Sequence, residues 1–230
     1  MSKPGFFNTL KTGVLNVQGC KNGKWTCKNY ILNTYLYILL AIIIIFMEAK
    51  YLQNYPLLKA PFFLIFVISI VLLFALFYVR NIYLVHILWL AFILFMGYFF
   101  TFTFKRMSSK GILESTLITT FVIVFSLSFI AFWKPQLISL SWGPVLLMAL
   151  LVGIILRITL MFLGESYSIY SLMLSYAMVF LFSLYILYDT KMIQVMAKRC
   201  SLNNVNYAVS SLNIFLDILN LISNFADINN

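Results

Sequence analysis

The sequence predicts an all-α integral membrane protein with seven transmembrane helices. Of its 230 residues 63% are hydrophobic and 10% are charged, against about 45–50% and about 25% in soluble domains. The apolar residues fall in continuous runs of about 20, enough for a helix to cross the hydrocarbon core, whereas a barrel would show alternating segments of about ten. Short polar stretches separate the runs. The three cysteines, Cys20, Cys27 and Cys200, exclude a disulfide scaffold, and 23 Phe with 14 Tyr exclude disorder.

In chain order, residues 1–29 form a basic segment carrying Lys3, Lys11, Lys21, Lys24 and Lys28. No apolar stretch with a small-residue cleavage site follows the pattern of a leader, so no removable signal is expected. The spans are expected at 30–48, 59–79, 83–104, 112–132, 138–164, 167–188 and 206–225. The Glu48–Pro61 stretch with Lys50, Asn54, Pro56 and Lys59 separates the first two, and Arg80-Asn81 turns a tight hairpin between the second and third. Lys105–Gly111, Trp133-Lys134-Pro135 and Gly164-Glu165-Ser166 interrupt the later runs. Residues 30–225 thus form one seven-helix domain, followed by a short tail at 226–230.

The net charge of +10 is spread between apolar runs and makes no basic, aromatic-interleaved patch, so no nucleic-acid partner is expected. Its role is topological. With a cytosolic N-terminus, that side holds ten cations: the five N-terminal lysines, Arg80, Lys134, Lys191, Lys198 and Arg199. The other side holds five, Lys50, Lys59, Lys105, Arg106 and Lys110, and the excess places the N-terminus inside. Cys20 and Cys27 then face a reducing compartment as free thiols. Their spacing, without flanking His, is a poor zinc signature.

Function must lie with ionisable groups inside the bilayer, where they are costly and mark ion or proton paths. Glu48, Glu165 and Asp227 fall in or beside loops and are read as solvated, which leaves Glu114, Asp189 and Asp217. In the last span Asn206, Ser210, Asn213, Asp217, Asn220 and Asn224 recur at helical spacing and draw one polar stripe. Such a helix should face protein or water along its length. Interhelical hydrogen bonds explain Asn and Ser, but not a carboxylate about 16 Å along the helix from Asn206. After Asp189 the sequence stays apolar to Lys198 and Arg199, which puts Asp189 about 14 Å inward of that interface. The two carboxylates could therefore face each other across antiparallel neighbours; alternatively Asp189 pairs with Lys191 or Arg80 at the membrane edge. Two close carboxylates in a low dielectric should share a proton or hold a cation.

Phe182-Ser-Leu-Tyr-Ile-Leu-Tyr-Asp189-Thr190 and Asn213-Ile-Phe-Leu-Asp217-Ile-Leu-Asn220-Leu resemble the closing signature of the Bax-inhibitor family, the transmembrane Bax inhibitor motif proteins. Val79-Arg80 and Gly111-Ile-Leu-Glu114-Ser-Thr-Leu-Ile-Thr119-Thr120 are similar to its second-helix end and fourth-helix opening, and the resemblance covers roughly residues 60–225. It implies a central seventh helix wrapped by two three-helix layers, and a pH-sensitive calcium leak. By the same resemblance Asp189 and Asp217 are the pH sensor and gate and hold calcium transiently, while Arg80 is a gating partner for one of them. No cofactor is implied, calcium being the transported ion. The expected partners are membrane lipid, calcium, and apoptosis-related membrane proteins or further copies of the chain.

Arg157 lies in the outer half of the fifth span, where it either pairs with Glu114 or snorkels to the interface. His86 reads as a hydrogen-bonded helix residue, since a transition-metal site wants several ligands. The ten Met fill gaps between apolar helices. No nucleotide loop, nucleophile elbow or His-Glu-x-x-His pattern occurs, so an enzyme is not expected. Two function classes follow: a calcium leak channel that lowers stored calcium and suppresses apoptosis, or a cell-death regulator working through membrane partners without conducting ions. The compartment would be endoplasmic reticulum or Golgi in a eukaryotic or viral setting and the plasma membrane in a bacterium.

Overall fold

The computed structural model describes residues 29–54, 62–79, 81–163, 168–199 and 206–229, all helix or short connection. Among the described residues there are seven α-helices: α1 (Tyr30–Leu52), α2 (Phe62–Tyr78), α3 (Ile82–Ser109), α4 (Leu113–Trp133), α5 (Trp142–Leu163), α6 (Ser168–Arg199) and α7 (Tyr207–Ile228). Six are long and apolar enough to cross a membrane, and α2, at 17 residues, is the shortest. The basic segment 1–28, Arg80, Glu165 and Cys200 lie outside the described residues.

Local signals set the helix ends. The Asn81 side chain accepts the Tyr83 and Leu84 N–H groups, at 3.0 and 3.4 Å, and starts α3. Gly111, at φ 69°, ends it, because the paired Gly111 N–H to Ser108 and Ile112 N–H to Met107 bonds require a left-handed residue at that point. A 3₁₀ turn at Pro135–Leu137 follows α4.

Four helices run several residues past the expected ends, α1 continuing from 48 to Leu52. α3 continues through Lys105 and Arg106, whose long stems let charge reach the interface without breaking the helix. α6 extends past 188 to Arg199, as the apolar sequence after Asp189 implies. α7 continues to Ile228, so residues 226–228 are its last turn and not a tail.

The packing has a simple plan. α1, α2 and α3 form one layer and α4, α5 and α6 the other, with α7 between them, touching α1 and α3 on one side and α4 and α6 on the other. Leu212, Ile214, Phe215 and Leu221 of α7 are completely buried. The outer helices turn Phe121, Val145, Phe162 and Phe180 outward, toward lipid, which is as apolar as a protein core and exerts no pressure to hide them. α5 packs closely on α6 where glycine leaves room: Tyr188 fills the space over Gly143 and Met178 that over Gly153.

Candidate functional site

Asp189 stands ten residues before the end of α6 and Asp217 ten residues after the start of α7, so each lies about 15 Å along its helix, near mid-membrane. Both are 6% exposed. Because α6 and α7 pack against each other along their length, the two carboxyl groups come close enough to interact electrostatically, with Asn213 of α7 nearby. Two acids so placed in a low dielectric cannot both be ionised cheaply. The second oxygen of Asp217, Oδ2, is buried with no hydrogen-bond partner among the described residues. Tyr185, one turn before Asp189, lies within electrostatic range of both acids.

Both layers hold the backbone beside Asp189. The Thr190 hydroxyl is fully buried and bonds the Tyr35 hydroxyl of α1 at 3.1 Å and the Ser128 hydroxyl of α4 at 3.5 Å. Lys191 is turned away and donates to the Pro135 carbonyl at 2.9 Å, while Gln194 donates to that of Ala131 at 3.0 Å. The alternative of an Asp189–Lys191 pair therefore gives way to the Asp189–Asp217 pair. The ion pairs formed among the described residues are those of Asp227. Arg80, the expected gating partner, falls outside the described residues.

Four members of the polar stripe, Asn206, Ser210, Asn213 and Asn220, lie on the open side of α7, whereas Asp217 and Asn224 are turned inward and buried. Asn206, Ser210, Asn213, Leu216, Asn220, Ser223 and Asp227 are partly or fully accessible, whereas most residues on the other faces are buried, Val209, Phe225 and Ile228 being half-buried. Asn206 caps the helix by accepting the Val209 N–H at 3.0 Å, and Ser210 bonds the Tyr30 hydroxyl at 2.6 Å. Asn220 and Asn224 donate along their own helix to the Leu216 and Asn220 carbonyls, both at 2.8 Å. The stripe is thus only in part interhelical glue. Against its outer half Thr103 of α3, with Asn220 and Ser223, lines a cavity of about 140 Å³. A larger cavity of about 380 Å³ lies between α1 and α4 and is almost wholly apolar, with Ile214, Ile218 and Ile222 of α7 as its floor.

Three residues, Asp227, Arg157 and Glu48, depart from the sequence reading. Asp227, expected to be solvated, accepts Arg106 Nη2 of α3 at 2.8 Å and Arg157 Nη1 of α5 at 3.1 Å. Arg157 Nη2 also donates to Asn224 Oδ1 at 2.5 Å, so Arg157 neither snorkels alone nor pairs with Glu114. It faces α7 because α7 runs one turn further than its apolar residues suggest. Glu48 lies within α1, its carboxylate seated over Gly97 of α3, and its Oε2 is buried with no hydrogen-bond partner among the described residues. His86 stacks on Tyr37 and bonds its hydroxyl through Nδ1 at 3.3 Å.

A family model described as "Inhibitor of apoptosis-promoting Bax1" matches residues 27–229. The chain belongs to the Bax-inhibitor family. The match extends beyond the motif resemblance to take in α1 and the last turn of α7, and it begins where the basic N-terminal segment ends. Membership makes this a multi-pass, apoptosis-related membrane protein. No curated protein matches the chain.

Proposed function

We propose that this Bax-inhibitor family protein is a calcium leak channel whose opening is set by protonation of the Asp189–Asp217 pair, and that by lowering a calcium store it suppresses apoptosis. The observation that carries the reading is the buried carboxyl pair beside the accessible polar seam of α7. In a low dielectric two adjacent carboxylates repel strongly. A shared proton relieves that repulsion and ties α6 to α7; loss of the proton leaves either two charges that must separate or a site for a hard divalent cation, which takes oxygen ligands. Asn213 and Asn220, above and below the pair on the same seam, supply amide oxygens for a partly dehydrated ion.

Purified protein in liposomes with an internal calcium dye tests the proposal. Calcium entry above that of empty vesicles, changing with pH across the neutral range, is the expected result. Protein that passes no calcium at any pH would act instead through membrane partners.

A further inference from the structure

The outer end of the seam carries a three-residue contact that the carboxyl pair does not explain. Arg106 comes from the α1–α3 layer, Arg157 from the α4–α6 layer, and both reach one carboxylate, Asp227, on the central helix. The contact lies over the small cavity, in which Thr103, Asn220 and Ser223 are set among apolar side chains of α3 and α7. On α7 the cavity residues Asn220 and Ser223 are followed four positions later by the contact residues Asn224 and Asp227, and on α3 the cavity residue Thr103 is followed three later by Arg106. Residues at these spacings stack on one helix face, so the contact covers the cavity from both walls.

We propose that Arg106, Asp227 and Arg157 form a clasp that closes the outer mouth of the seam, with the cavity beneath it as the vestibule. The inference rests on the reading of the seam as an ion path. Two guanidinium groups against one carboxylate leave a net positive charge at the mouth, which repels a divalent cation while the clasp is shut. The side chains are 41%, 26% and 36% exposed for Arg106, Asp227 and Arg157. Ion pairs this wet are weak and salt-screened, as a closure that must open requires. Asn224 adds direction: its Oδ1 holds the same guanidinium, so release of Arg157 frees two oxygens, Oδ2 of Asp227 and Oδ1 of Asn224, for an arriving hard cation, and release of Arg106 frees Oδ1 of Asp227 as a third.

The test is the reaction of Ser223→Cys, in a chain with Cys20, Cys27 and Cys200 replaced by Ser, with a membrane-impermeant maleimide in proteoliposomes; Ile214→Cys serves as the buried control. Asp227→Asn and the Arg106→Gln/Arg157→Gln pair should each raise the labelling rate at 223 severalfold and leave 214 unreactive. Arg157→Glu combined with Asp227→Arg rebuilds the trio with the carboxylate on α5 and should bring the rate back toward that of the parent. Equal labelling at 223 with the clasp intact and broken would overturn the proposal. So would labelling that rises at 223 and 214 together, because the trio would then be holding the bundle rather than closing a mouth. Calcium flux measured on the same vesicles separates the two claims: a parent protein that conducts nothing refutes the leak, while the labelling still decides the clasp.

Discussion

The middle and the outer end of α7 each hold a carboxyl group, in opposite settings. Asp217 is buried at mid-membrane against a second acid, with no cation among the described residues to neutralise it. Asp227 is partly exposed at the end of the same helix, between two arginines. On the proposed reading the first arrangement answers to protons, because like charges in a low dielectric cannot both be ionised cheaply. The second answers to ionic strength, since its charges are already opposite and water reaches them. One helix thus carries two differently tuned contacts about 15 Å apart, and a substitution should affect only the property proper to its end.

The largest expected effect is on stability at the middle. Asp189→Ala removes the partner of a buried group whose other oxygen is unpaired, and an unsatisfied buried polar group costs about 1–3 kcal/mol. Thermal unfolding in detergent should show it as a clear drop in midpoint. A smaller loss, about 1 kcal/mol, is expected for Thr190→Val, which keeps the side-chain shape but breaks the bonds to Tyr35 and Ser128. Smaller still is Arg157→Gln at the outer end, about 0.2–1 kcal/mol for an exposed pair. That loss should fade in high salt, while the Asp189→Ala loss persists. If salt erased both differences equally, the contrast between the two ends would not stand.

Single cysteines along α7 perturb stability least and map the seam directly. With the native cysteines replaced, Asn213→Cys should react with a water-soluble maleimide while Ile214→Cys, one residue on and fully buried, should not. Equal reactivity would mean that the open side of α7 does not follow the polar row.

Much of this was legible in the sequence, and what was missed has a common cause. Helix number, the polar side of α7 and the matched depths of Asp189 and Asp217 follow from apolar run length and a 3.6-residue period, which the bilayer enforces strictly because every backbone group must be satisfied within the helix; that Asp189 sits by Asp217 and not by Lys191 took the structure to decide. The ends were harder. Where the hydrocarbon gives way to headgroups, hydropathy falls while the backbone stays helical, so Asp227 and Glu48 read as loop residues although both lie within helices. The period itself held the missing signal: Asp227 follows Asn220 and Asn224 at spacings of four and three, in register with the stripe. Nothing in the sequence paired Arg106 and Arg157 with it, because that contact depends on how α3 and α5 are placed around α7. Gly97 beneath Glu48 is likewise visible only in three dimensions.

The central claim, that the carboxyl pair sets the leak, is tested most directly by calcium flux against pH in liposomes for the parent protein, Asp189→Asn and Asp217→Asn. Each amide keeps the shape and the capacity to hydrogen-bond but removes one titrating group, so the parent should show a pH-dependent flux and both variants a flattened or displaced profile. Two variants that fold, conduct and keep the parent's profile would contradict the account.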